Sequence, residues 1–184
     1  MRDDRTMTVM VALLRGINVG GHNKLLMADL RAMVAGCGLH DVETYIQSGN
    51  VVCTADDLPE TVGDRIASAI HLSAGMSVPV TVRTRDELAA LANGNQFLVC
   101  DDDPAHHHLL FRLDATPVGG TALDEFAAFA PEQVAAAGRD VYLHLPDGMA
   151  ASRLSTVVAR RPALEGTIRN WRTVGKLLDI ANAR

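Results

Sequence analysis

The sequence predicts an α+β fold in which one order of elements, β-α-β-β-α-β, occurs twice. Apolar β-branched runs alternate with amphipathic helical patterns in that order. Pro79 lies in the last strand of the first set and cannot donate to a sheet ladder, so that strand belongs at a sheet edge. The order begins again after an acidic turn at 101–104. These observations predict two tandem ferredoxin-like (βαββαβ) subdomains, the second degenerate, packed as one unit.

The first subdomain, residues 1–100, begins with a buried strand at Thr8–Leu14 and ends with a linking helix. That helix is predicted from a capping box formed by Thr84 and Glu87. The elements between are a helix from about Leu26 to Cys37, strands at Val42–Ile46 and Val51–Cys53 joined as a hairpin, a helix capped by Asp57, and an edge strand at Val78–Val82.

The second subdomain, residues 101–184, ends in a basic helix, and its final strand is not identified by pattern. Its predicted elements are a strand at His108–Leu113, a helix around Leu123–Phe129, strands at Glu132–Ala136 and Asp140–Leu145, and helices at Ser152–Ala159 and Trp171–Ala181.

Composition indicates a globular protein and excludes disordered and collagen-like chains, because 48% of the 184 residues are hydrophobic and 21% charged. No stretch approaches the ~20 apolar residues of a membrane span, and the charged start does not fit a signal peptide. We therefore expect a cytoplasmic protein without membrane contact. The three cysteines are far apart in apolar surroundings, which predicts reduced, buried thiols.

The charge is unevenly distributed along the chain. Residues 1–150 carry 10 basic and 20 acidic side chains, whereas residues 151–184 carry 7 and 2. A basic end on an acidic body is a candidate site for an anionic partner. The alternative is a basic face that pairs with the acidic body.

A glycine-rich segment, RGINVGGHNK at 15–24, leads from the first strand toward the first helix. Backbone N–H groups before a helix attract anions, and glycines allow close approach. The segment fits neither a Walker A loop nor a dinucleotide fingerprint, and it could be only a connection with solvated charges. Its candidate ligand residues are Arg15, Asn18, Gly20, Gly21, Asn23 and Lys24.

Two further segments are candidates. The hairpin tip QSGN offers Gln47, Ser48 and Asn50, although these are also common turn residues. The segment RNWRT offers Arg169, Asn170, Arg172 and Lys176, with Asn170 as a helix N-cap. The three cations are predicted to form a basic ridge near the helix start, where they oppose the helix dipole and so favour a bound anion. Trp171 is predicted to belong to the core.

Other chemistry has little support in the sequence. In a strand only His106 and His108 of the HHH run could share one ion, and no C-x-x-C or H-x-x-x-H pattern accompanies them, so no metal is predicted. The serines lack a nucleophile-elbow context, and the cysteines lack an activating basic pattern. His22 is the one weak candidate for proton transfer, which leaves open whether the protein is an enzyme.

The segments LLRGINVGGHNK, TYIQSGNVV and RNWRTVGKLL, with VYLHLPDG and the Arg153-Leu154 pair, resemble the DUF1697 family. The resemblance extends from about Val9 to Ala181. It implies an uncharacterised bacterial protein with two ferredoxin-like subdomains, and it implies no activity.

The leading hypothesis is a protein without a cofactor that binds a small phosphorylated or nucleotide-like anion where the three segments converge, in a cleft between the halves. One alternative is an RNA-binding module, which would require Tyr45 and Tyr142 exposed on a basic sheet. The other is a structural protein whose polar segments form a homodimer interface.

Overall fold

The computed structural model describes residues 7–21 and 23–184 as a mixed α+β protein with two four-stranded antiparallel sheets. The chain divides into two compact units. The first runs up to Ala89 and includes Leu177–Arg184, and the second is Ala90–Lys176. The expected boundary after residue 100 lies inside the second unit.

The first unit contains a sheet with the strand order β2-β3-β1-β4, which places β1 and β3 at its centre. Alternate residues of the central strands pack against the two helices, and residues such as Ala12, Leu30 and Ile66 are fully buried there. Its elements are β1 (Thr8–Leu14), α1 (Met27–Gly36), β2 (His40–Tyr45), β3 (Asn50–Ala55), α2 (Pro59–Ala74) and β4 (Val80–Thr84).

The second unit contains a sheet with the order β6-β7-β5-β8 and a core that includes Leu110, Phe126 and Leu143. It also contains three short 3₁₀ helices, one before its first strand at Gln96–Val99 and two between its strands, at Asp124–Phe129 and Pro162–Leu164. The other elements from residue 85 onward are α3 (Arg85–Asn93), β5 (His107–Arg112), β6 (Gln133–Ala137), β7 (Asp140–His144), α4 (Arg153–Val158), β8 (Gly166–Asn170) and α5 (Trp171–Asn182).

Several predicted elements agree with the structure. β1 occupies the predicted residues, β4 is an edge strand as predicted although it begins one residue after Pro79, and the capping box forms. In that box the Thr84 N–H donates to Glu87 Oε2 over 2.7 Å, and the Glu87 N–H donates to Thr84 Oγ1 over 3.1 Å. These local signals were reliable because they depend on side-chain geometry within a few residues.

One local prediction was wrong, and a second agrees in position but not in the type of helix. Asp57 does not cap α2, because Leu58 occupies the N-cap position without a side-chain hydrogen bond and the Asp57 carboxylate pairs with Arg65 instead. The predicted helix around Leu123–Phe129 is the 3₁₀ helix at Asp124–Phe129.

β8 is the strand that the hydrophobic pattern of the sequence did not identify. Its sequence nevertheless resembles that of β4, the corresponding edge strand of the first sheet. Its Thr167-Ile168-Arg169-Asn170 resembles Thr81-Val82-Arg83-Thr84 of β4. Arg83 and Arg169 are 1% and 7% exposed. Each guanidinium donates to the threonine two residues earlier and to the intervening carbonyl oxygen. This resemblance therefore places an equivalent buried arginine in an edge strand of each sheet.

No helix among residues 7–21 and 23–184 has both the length and the apolar character needed to cross a membrane. The prediction of three buried thiols was wrong for two of them, because Cys37 is half-buried and Cys100 exposed while Cys53 is buried.

The reactivity of the three thiols should decrease with burial, from the exposed Cys100 through the half-buried Cys37 to the buried Cys53. Burial raises the pKa of Cys53 to about 12 and raises the pKa of Cys37 to a smaller extent, and the thiolate is the reactive form. At about pH 8 we expect Ellman's reagent to modify Cys100 first, Cys37 slowly, and Cys53 only after unfolding. Cys100→Ser should remove the fast phase. Rapid modification of Cys53 in the native protein would contradict this assignment.

Candidate functional site

The loop after β1 and the β2–β3 turn meet through the side chain of Asn18. Its Nδ2 donates to the carbonyl oxygens of Leu25 and Gln47, both over 2.9 Å, and its Oδ1 accepts from the Leu25 N–H over 2.9 Å. Asn18 has a left-handed backbone with φ 54°, a conformation that asparagine tolerates better than most residues. One side chain thus joins the two ends of the loop to the neighbouring turn.

The β2–β3 turn is tightly packed beneath this loop at Gly49. Gly49 has φ +76°, and a Cβ atom there would lie 2.6 Å from Ile17 Cδ1 and 2.8 Å from Leu14 Cβ. The fully buried Asn50 donates from Nδ2 to the Tyr45 carbonyl oxygen and to Ser48 Oγ. Close contact between the turn and the loop therefore depends on glycine at this position.

A cavity of about 570 Å³ opens beside this junction, and we call it the α1 cavity. It is within the size range of small-molecule sites. Its lining residues are Asn18, Gly21, Lys24, Leu25, Leu26, Asp29, Met33, Gln47, Ser73 and Ala74. The exposed Lys24 precedes α1, and Leu26 at the N-cap position makes no side-chain cap hydrogen bond. A cation and a helix start therefore adjoin one cavity.

Four of the residues predicted from the first two segments line the α1 cavity: Asn18, Gly21, Lys24 and Gln47. The others have separate positions in the same loops. Arg15 and Ser48 are half-buried, Gly20 is exposed with φ 58°, and the Asn23 Nδ2 donates to the Gly16 carbonyl oxygen over 3.1 Å. His22, the proton-transfer candidate, lies outside the described residues.

The third predicted segment belongs to β8 and α5. The prediction that three cations form a basic ridge near the helix start was wrong for one of them. Arg169 lies in β8 rather than on the helix, and burial lowers its pKa to about 10. The exposed cations on α5 from the predicted set are Arg172 and Lys176. Asn170 is an N-cap as predicted, since its Oδ1 accepts from the Thr173 N–H over 2.8 Å. Trp171 is half-buried and packs edge-on against Tyr142.

Residues 7–142 match the family model described as a protein of unknown function, DUF1697. The chain belongs to the DUF1697 family. The matched region contains the loop after β1, the β2–β3 turn and the whole α1 cavity. The α1 cavity therefore lies entirely within the residues that match the DUF1697 model.

The DUF1697 fold also occurs in a solved structure described as a conserved bacterial protein from Streptococcus pneumoniae. The TM-score is 0.71 and the sequence identity 23%, over 96% of this chain and 99% of the other. No curated protein matches the sequence. The structural similarity supports the fold and indicates no activity.

This DUF1697 chain also contains a histidine cluster that the sequence did not reveal. The sequence allowed only His106 and His108 to share an ion and predicted no metal, whereas in the structure β5 begins at His107 and the residues that meet are Asp101, His107 and His144. Hydrogen bonds from His144 and His106 hold the pKa of Asp101 well below its usual range. The hydrogen bond between His106 and Asp101 in turn raises the pKa of His106. Strand register, which the sequence does not show, brings the cluster together.

Proposed function

We propose that the α1 cavity binds a small phosphorylated or nucleotide-like anion. The observation that carries this proposal is the convergence of Lys24, Gln47 and the start of α1 around one cavity of about 570 Å³. The positive end of a helix dipole and an ammonium group both stabilise a phosphate.

The cavity lining also favours a particular kind of anion. Asp29 lies in the first turn of α1 and would repel an anion that filled the whole cavity. A carboxylate accepts hydrogen bonds from hydroxyl groups, and Leu26 beside it is 68% exposed. A ligand with its phosphate near Lys24 and a hydroxylated body near Asp29 satisfies both charges. Sugar phosphates and nucleotides have that form.

The surrounding backbone supports a functional role for the site. Ile46, next to the lining residue Gln47, has φ 48°, which is strained for a β-branched residue. It is also 48% exposed, so this strain places an apolar side chain toward solvent. Strain of this kind is concentrated at functional sites.

Base stacking on the second sheet has less support. Tyr142 is 5% exposed, and its hydroxyl donates to the Leu91 carbonyl oxygen over 2.7 Å. A buried ring cannot serve as a platform for an RNA base, so a small ligand is the better candidate.

We further propose that each half is a ferredoxin-like subdomain. In both sheets the first and third strands of the set are central, and the second and fourth are the edges, as in β2-β3-β1-β4. The second half is degenerate because the first connection contains a 3₁₀ helix in place of a regular α-helix.

Replacing Lys24 tests the proposed binding site. Calorimetric titration with inorganic phosphate, a sugar phosphate and nucleoside monophosphates should give saturable binding to at least one of them. Lys24→Ala should weaken it about 10- to 100-fold, because a charge-assisted hydrogen bond contributes about 1.5–3 kcal/mol.

The matched control is Arg160→Ala, which removes one exposed charge from the second unit. It should leave the affinity within about twofold at physiological salt, since Arg160 is not among the residues that line the α1 cavity and salt screens exposed charges. Equal losses in both variants would indicate a nonspecific charge effect and contradict the site. Arg172→Ala tests separately whether the RNWRT segment contributes, as the sequence predicts.

A further inference from the structure

The second unit contains a cluster of imidazoles around one carboxylate, built by strand register. His107 of β5 and His144 of β7 are paired directly across the two strands. Such pairs project from the same face of a sheet, and these two rings stack with their centroids 5.2 Å apart. Asp101 reaches them from the turn before β5.

The distances place the ligand-type atoms close together. Asp101 Oδ2 lies 2.9 Å from His144 Nε2. One possible ligand atom from each of Asp101, His107 and His144 lies within 4.8 Å of the other two. Ligand atoms around a tetrahedral Zn²⁺ are about 3.3 Å apart at metal–ligand distances of about 2.0–2.1 Å. Small side-chain movements would therefore bring the three atoms to a common ion.

The surroundings hold these side chains in position and leave an entry path. His106 Nδ1 lies 2.7 Å from Asp101 Oδ2 and can orient the carboxylate as an outer partner. Phe97 stacks on His144 with 5.7 Å between the ring centroids. His107 is fully buried, whereas the side chains of Asp101 and His144 retain 23% and 13% of their exposure. An ion can therefore reach the cluster from solvent.

The hydrogen bonds within the described protein do not satisfy the two rings. Nδ1 of His107 and Nδ1 of His144 are both buried without a hydrogen-bond partner. His107 Nε2 contacts the Asp101 carbonyl oxygen over 2.7 Å. Buried polar atoms without partners are uncommon and call for a physical reason. Coordination to an ion would supply one for Nδ1 of His107, whereas His144 faces Asp101 through Nε2 and would coordinate through that nitrogen.

We infer that Asp101, His107 and His144 bind a late first-row divalent cation of the Zn²⁺ class. Two imidazoles and one carboxylate suit Zn²⁺ and Co²⁺ better than Mg²⁺ or Ca²⁺, which prefer oxygen ligands. Each coordinating ring nitrogen must first give up its proton, to the other ring nitrogen or to solvent. Three protein ligands leave one tetrahedral position for a ligand that the protein does not supply.

The single tryptophan provides the assay, because the ring of Trp171 lies 6.4 Å from that of His107. Untagged full-length protein, treated with chelator and dialysed, is titrated with Co²⁺, whose bound form should quench Trp171 fluorescence. We expect saturable quenching at one ion per chain and recovery on addition of Zn²⁺. Asp101→Asn and His144→Gln should each weaken Co²⁺ binding more than about tenfold.

His40→Gln is the matched control, because His40 is an exposed histidine of the first unit. It should bind Co²⁺ as the unchanged protein does. The absence of saturable quenching, or quenching unaffected by both cluster variants, would overturn the inference. Circular dichroism confirms that the variants are folded, and Zn²⁺ should raise the melting temperature of the unchanged protein but not of Asp101→Asn. An equal rise in both would also overturn it.

Discussion

Gly49→Ala is expected to lower the free energy of unfolding by roughly 2–4 kcal/mol. The left-handed backbone at φ +76° costs an L-residue about 1–2 kcal/mol. The added methyl group would also lie 2.6 Å from Ile17 Cδ1 and 2.8 Å from Leu14 Cβ, and such overpacking costs about 1–3 kcal/mol. Urea unfolding followed by circular dichroism measures the change.

Gly20→Ala separates the two causes. Gly20 has a similar backbone, with φ +58°, but a Cβ atom there meets nothing within 4 Å. It should cost only about 1–2 kcal/mol. If Gly49→Ala were no more destabilising than Gly20→Ala, the close packing of the β2–β3 turn against the loop would be wrong.

Asn18→Ala is expected to lower the free energy of unfolding by about 2–4 kcal/mol and to abolish binding in the α1 cavity. Three hydrogen bonds of 2.9 Å are lost, each contributing about 0.5–1.5 kcal/mol. Asn18 therefore acts first as a positioning residue, because it fixes Leu25 and Gln47 on either side of the cavity. Urea unfolding and phosphate calorimetry measure the two effects.

Asn23→Ala is the matched control, since Asn23 is also an asparagine with a left-handed backbone, at φ 48°. Its side chain makes one exposed hydrogen bond of 3.1 Å, to the Gly16 carbonyl oxygen. We expect a loss of about 1 kcal/mol or less. Equal losses in Asn18→Ala and Asn23→Ala would show that backbone conformation, and not the three-bond bridge, determines the stability of the loop.

Much of the first unit could be predicted from the sequence because its signals are local. The run at 8–14 is β-branched and apolar, and a proline beside the strand at 80–84 favours a sheet edge for that strand. The capping box of Thr84 and Glu87 depends on atoms three residues apart. Each of these signals can be found within a few neighbouring residues of the sequence.

The failures have a common physical cause in long-range contacts. Asp57 has a suitable side chain for an N-cap, but Arg65 competes for its carboxylate. Arg169 appeared to be an exposed helix cation because its burial in β8 depends on pairing with β5. The pairing of His107 with His144 likewise depends on the register of two strands, since these two residues are 37 positions apart in the sequence.

The candidate site was partly predictable for the same reason. Lys24, Gly21, Asn18 and Gln47 were identified by residue type, and the structure brings these four to one cavity. Residue type alone could not show that the Asn18 amide bonds to the protein's own backbone. Loop asparagines serve either role, and only the folded geometry distinguishes a ligand contact from a structural one.

The most direct test of the α1 cavity as an anion site is an amide ¹H–¹⁵N chemical-shift titration of the full-length protein with a nucleoside monophosphate. We expect saturable shifts concentrated at Gly21, Lys24 and Gln47, and much smaller shifts at the same concentrations in Lys24→Ala. Absent shifts, or saturable shifts confined to residues outside the cavity, would contradict it.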